Sequence, residues 1–310
     1  MSKSICLILF KMVGGKGLSI DGKEVVFQDC LRHSRKIILK KERLMILMIR
    51  KLLLVVAVLV IAVSGLAFAE NTTILKVGAA VVPHAEILEF VKPELKKAGI
   101  DLQIVVLDDE AQLNPALADK QIDANYFQHV PYLESVSKEK GYQFAVAGKI
   151  HVEPIGFYSQ KIKSKSQLKT GAKIAIPNNP SNEYRSLVLL EANGLIKLKK
   201  GLVNYQATPS DIVSNPKKLQ FIEIEAAQLT RSLPDVDGAV INTNFVLDAK
   251  IDPNTALFRE NAKSPYANII VVRKGDENRP EIKKLLAALQ TPALKKFLLD
   301  KYKGSVVPAF

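Results

Sequence analysis

The 310 residues include 44 Lys and Arg against 31 Asp and Glu, a formal net charge of +13 that on its face suggests a polyanionic partner. The first 69 residues hold 12 of the bases and only 4 of the acids, leaving 32 against 27, a net of +5, for the rest. This removes the case for nucleic acid. Both cysteines, Cys6 and Cys30, lie in the same leader, so the remainder is expected to have neither disulfides nor thiol chemistry.

In chain order, Arg50-Lys51, the apolar run Leu52 to Val63 and the small-residue end Ala67-Phe68-Ala69 read as a secretory signal peptide. A spanning helix needs roughly 20 apolar residues, and Ser64 and Gly65 weaken this run as such a span. Residues 48–69 are therefore assigned to the signal, and 1–47 to an extension from a start codon placed too far upstream. Cleavage after Ala69 leaves 241 residues, exported and soluble in the periplasm; the alternative is an uncleaved N-terminal anchor. No cysteine follows the cleavage site to take a lipid.

Leu75 to Ala80 then reads as a strand. Ile87, Leu88, Val91 and Leu95 recur at helical spacing until Gly99, with Pro93 expected to kink or restart the helix. Asp101 to Leu107 is a second strand and Asn114 to Lys120 a short helix. Ile122 to Leu133 runs from a β-compatible start into a corner where Pro131 can open a helix ending near Gly141. Lys149 to Ser159 has strand character broken by Pro154 and Gly156, as in a segment that changes lobes. Lys173 to Ile176 is a strand, followed by a loop and a helix to Gly194. Phe221 to Glu225, Gly238 to Ile241 and Asn268 to Arg273 are strands, and helices Pro280 to Leu289 and Pro292 to Tyr302 close the chain. Alternating strands and helices with a central interruption define an α/β fold of two lobes crossed twice by the chain. Lobe 1 is expected at 73–165 plus 247–310 and lobe 2 at 166–246.

Ligands in such sheets bind beyond the carboxyl ends of strands, so the loops there hold the candidate residues. Phe127, His129 and Tyr132 crowd one strand-to-helix corner, as pocket wall or as core. Asn182 and Arg185 lie one helical turn apart after the loop Pro177 to Ser181, where an arginine fork suits a carboxylate. Asn242 and Asn268 are strand-end amides able to donate and accept. The histidines after the leader, His84, His129 and His151, have no metal-ligand spacing, and no nucleophile elbow or phosphate loop occurs. No cofactor, no metal and no enzymatic activity are expected.

From about Thr73 onward the chain resembles the methionine-binding NlpA-type substrate-binding lipoproteins of ABC importers. The matching stretches are Val82-Pro83-His84-Ala85-Glu86, Asp123-Ala124-Asn125 with Phe127-Gln128-His129, and Pro177-Asn178 with Asn182 and Arg185-Ser186-Leu187. Ala239-Val240-Ile241-Asn242-Thr243 and Ser264-Pro265-Tyr266-Ala267-Asn268 complete the set. The resemblance implies a two-lobed periplasmic-binding-protein fold of type II character. It also implies a monomer that closes on methionine and delivers it to a membrane permease with its ATPase. Phe127, His129 and Tyr132 would line the side-chain pocket, Arg185 would hold the carboxylate, and Asn182, Asn242 and Asn268 would fix the main-chain groups. The chain departs from the family pattern at the cleavage site and at Glu110, where a pocket tyrosine is usual. Tyr184, often glycine in the family, is expected to refill that space, and Glu110, Tyr184 and His84 are the candidates for selectivity. The alternatives are another amino acid, a methionine-containing dipeptide, or an enzyme on the same scaffold.

Overall fold

The computed structural model describes residues 32, 35–54, 72–202, 205–261 and 264–310. Met1–Glu70 and Asn71–Phe310 form two separate compact units. In the first, residues 35–54 make one exposed helix. No helix among the described residues is long and apolar enough to cross a membrane. Residues 55–69 of the predicted signal, with its cleavage site, and most of the predicted extension lie outside the described residues.

The second unit contains β1 (Thr73–Ala79), β2 (Ile100–Val106), β3 (Ala124–His129), β4 (Phe144–Val152), β5 (Gly156–Tyr158), β6 (Lys173–Pro177), β7 (Lys197–Leu198), β8 (Ile212–Ser214), β9 (Gln220–Ile224), β10 (Gly238–Ile241), β11 (Phe258–Arg259), β12 (Ala267–Arg273) and β13 (Val307–Pro308). One sheet has the order β13-β4-β12-β3-β1-β2 and the other β11-β5-β10-β6-β9, while β7 and β8 pair alone. In each sheet the parallel pairs run to one edge, β1 with β2 and β3, and β6 with β9 and β10. The antiparallel partners β12, β4, β5 and β11 lie to one side.

Both sheets are buried on both faces, so successive residues of one strand serve opposite cores. On β12, Ile270 and Val272 join one cluster while Ile269 and Val271 join another. On β6, Ile174 and Ile176 face one core and Ala175 the other. Helix Glu86–Lys97 buries Ile87, Leu88, Val91 and Leu95, the four positions expected from spacing. It runs through Pro93 as one helix, so of the expected kink or restart the restart does not occur. Pro93 and Glu89 are both exposed, so water can satisfy the carbonyl that proline leaves unpaired.

Strand pairing places the crossings differently from the sequence reading. β5 pairs with β10 and β11 in the second sheet. The chain therefore changes sheets at 153–155 and at 260–266, instead of at 165/166 and 246/247. With three and two residues, β5 and β11 are too short to display an alternation that would announce them. The two crossings are tied together: the Glu260 amide donates to the Ile155 carbonyl (2.9 Å), and the Ile155 amide donates to Glu260 Oε2 (3.3 Å).

Candidate functional site

Four strand ends deliver side chains into one cavity of about 1040 Å³. β3 ends at His129, whose Nδ1 accepts from the Tyr132 amide (3.2 Å) and so caps helix Val130–Lys140, with Pro131 in its first turn. β6 leads to Asn179, whose side chain caps helix Pro180–Ala192 by accepting from the Asn182 amide (3.1 Å). That helix then presents Asn182 and Arg185 on one face. β10 leads to Asn242 at the start of helix Thr243–Asp248. β12 sets Asn268 directly opposite His129 in the antiparallel register.

All seven residues expected to hold a ligand line this cavity: Phe127, His129, Tyr132, Asn182, Arg185, Asn242 and Asn268, with Glu110 beside them. Phe127 and Tyr132 meet edge to face at 5.9 Å, and their rings make the apolar side. The other two selectivity candidates lie elsewhere. Tyr184 lines a separate cavity of about 500 Å³ with Pro131, Glu134, Lys138 and Tyr205. Its position, two residues after Asn182 and one before Arg185, turns it off their face, so it does not refill the space at Glu110. His84 is fully buried behind Asn268.

The polarity of each amide follows from its partners. His129 Nδ1 accepts a backbone proton, so Nε2 carries the ring proton and donates to Asn182 Oδ1 (3.0 Å). Asn242 Nδ2 donates to the same oxygen (3.2 Å). Asn182 therefore turns its amide nitrogen to the cavity, whereas Asn242 Oδ1 is buried with no partner among the described residues. Burial, reinforced by the Arg185 charge, lowers His129 to a pKa of about 3, so its ring is neutral.

Arg185 was expected to present its fork to a ligand, but much of the fork is already engaged. Nε and Nη2 grip Glu260 (2.9 and 2.6 Å), Nη2 also donates to the Glu153 carbonyl (2.7 Å), and the Tyr266 ring lies 4.3 Å from the guanidinium carbon. Nη1 has no hydrogen bond among the described residues and is the donor left for a ligand. Because Glu153 and Glu260 belong to the two crossings, the arginine joins the cleft to the connections between the sheets.

Glu110 accepts a bond from Asn244 Nδ2 (2.6 Å), from the opposite side of the cavity. Burial first, then the Glu153 charge, push it up to about 8. Beneath Asn268, His84 and His151 converge on Glu153, with one ligand-type atom of each within 4.8 Å of the others. Linear spacing concealed this. His151 Nε2 donates to Glu153 Oε1 (2.7 Å), and its Nδ1 bonds the Tyr126 hydroxyl. Of the residues that the sequence did not single out, Asn244 and Glu260 act through partners far along the chain, while Glu153 combines the near partner His151 with the distant Arg185. Asn244 alone left a local sign, as a second amide two residues after Asn242.

Two α/β sheets, joined by two crossings and enclosing a cavity lined by an arginine, amides and aromatic rings, define a two-lobed substrate-binding protein. The sequence profile described as NlpA lipoprotein matches residues 75–310, and the chain belongs to this family. It is 43% identical over 238 residues to methionine-binding lipoprotein MetQ of Bacillus subtilis, covering 75% of this chain and 86% of that one. It is 40% identical over 237 residues to D-methionine-binding lipoprotein MetQ of Escherichia coli K12, covering 75% and 87%. Among solved structures, a nutrient-binding protein from Burkholderia cenocepacia bound to methionine is 46% identical with a TM-score of 0.74, covering 76% of this chain and all (100%) of that one.

Proposed function

We propose that this chain is the substrate-binding protein of an ABC importer, holding methionine, L or D, between its lobes and delivering it to the membrane permease and its ATPase. The observation that carries the reading is the division of one cavity into a polar side, with Arg185, Asn182, Asn242 and Asn268, and an aromatic side, with Phe127 and Tyr132. The polar groups match the carboxylate and ammonium of an amino acid, and the rings suit a thioether chain. The names of the relatives, which are binding proteins of methionine, support the same ligand. The protein acts as an exported monomer without catalysis. Residues 48–69 serve as its signal, and mass spectrometry of the exported form should find it starting at Glu70; a start within 48–69 favours the anchored alternative.

Ligand at about 100 times Kd stabilises the folded state by about 2.7 kcal/mol, which for a unit of this size raises the melting temperature by roughly 5 to 10 °C. L- or D-methionine should produce that shift, and Arg185→Ala should abolish it. No shift with any amino acid or short peptide would refute the reading.

A second ligand reading rests on Glu110. Its carboxyl, raised to about 8, is mostly protonated near pH 7, so a cationic amino acid, or the amino terminus of a methionine-containing dipeptide, would bind there by drawing it back to the ionised form. Glu110→Tyr should then reverse a preference of the wild type for such ligands; an unchanged ranking would remove Glu110 as the selector.

A further inference from the structure

Asn268 lines the cavity with its amide, yet nothing in the cavity dictates which of its two polar atoms faces inward. That choice is made from behind. His84, fully buried, has its Nε2 3.0 Å from Asn268 Oδ1 and 3.4 Å from Glu153 Oε1. Its other ring nitrogen, Nδ1, is buried with no partner among the described residues. The single proton of the neutral ring must sit on one of the two. On Nδ1 it would be a buried donor with no acceptor, which is rarer and costlier than a bare buried acceptor. On Nε2 it meets two oxygens. Burial lowers His84 to a pKa of about 4, so the ring remains neutral near pH 7.

We infer that His84 is a positioning residue of the ligand site: its Nε2 proton fixes Asn268 with Oδ1 toward the core and Nδ2 toward the cavity, so the ligand must present an acceptor there. The inference rests on the proposal that the cleft binds an amino acid, and it assigns polarity within that cleft. Asn268 Nδ2, Asn182 Nδ2 and Arg185 Nη1 form a donor-only cradle for the carboxylate. Glu153 Oε1 lies 3.4 Å from His84 Nε2 while accepting from His151, which in turn bonds Tyr126. The buried relay thus sets a polarity at the surface of the cavity. The ligand class is therefore an amino acid with a free α-carboxylate. A carboxamide places a donor against donors.

The test measures Kd for L-methionine and for L-methioninamide on the purified chain, as wild type, His84→Phe and His84→Gln. Gln can place an amide N–H where Nε2 stands; Phe cannot. Wild type should prefer the acid strongly. His84→Phe should lose about tenfold or more in affinity for the acid but little for the amide, because the Asn268 amide is freed to turn. His84→Gln should restore the discrimination. Equal losses for both ligands in His84→Phe, or an unchanged ratio, overturn the inference and leave amino-acid binding standing. Wild type that binds neither ligand overturns the parent reading and this one with it.

Discussion

His84, His129 and His151 are held below the ordinary histidine range by burial, to about 4, 3 and 3 respectively. The unfolded chain takes up these protons near pH 6.5 and the folded chain does not, so stability rises with pH between about 3 and 6.5 and is lost as pH falls through that window. Glu183 acts in the opposite sense. Burial first, then Glu223 and Asp211, raise it to about 7, so the folded state keeps a proton that the unfolded state releases near 4.5. Stability falls as pH rises between those values, and the full penalty persists above about 7. Glu183→Gln should therefore raise the melting temperature at pH 8 and change it much less at pH 4.5; an equal effect at both would refute the assignment. At this scale the sequence disclosed the residues clustered within one turn or corner, such as Asn182 with Arg185. It concealed pairings such as Glu110 with Asn244 and Arg185 with Glu260, which are 134 and 75 positions apart.

At the scale of elements, Pro131, Pro280 and Pro292 marked the starts of their helices. Both C-terminal helices begin and end where the pattern placed them, Pro280–Leu289 and Pro292–Tyr302. Helix Thr243–Asp248 and strands β7, β8, β11 and β13 escaped, since two to six residues carry too little periodicity. Asn179 serves both the helix and the site, because its cap fixes the turn that aims Asn182. Asn179→Ala should cost about 1 kcal/mol of stability and weaken ligand binding as well; a stability loss with unchanged Kd would separate the two roles. On β10, Gly238 admits the Phe157 ring, since a Cβ there would lie 2.1 Å from its Cζ. Gly238→Ala should force the ring from its stack on Phe258 and lower stability by roughly 1–3 kcal/mol, read by chemical denaturation. An unchanged midpoint would show that the second core yields freely.

At the scale of the molecule, alternation of strand and helix disclosed the two-sheet architecture and the break near Pro154. Which sheet claims β5 and β11 depends on partners 81 to 103 positions distant, so the exact crossings could be read only from the pairing. Those crossings meet at Arg185, which binds the Glu153 carbonyl and the Glu260 carboxylate while leaving Nη1 to the cavity. Ligand binding and the geometry of the connections are therefore linked through one side chain, as expected where lobes close on a ligand. Calorimetric titration of the purified chain with L- and D-methionine is the decisive measurement of ligand binding in this cleft. Binding should saturate at one molecule per chain for at least one enantiomer and be lost in Arg185→Ala without loss of fold. Absence of saturable binding, or full affinity retained by Arg185→Ala, would contradict the proposed role of the cleft.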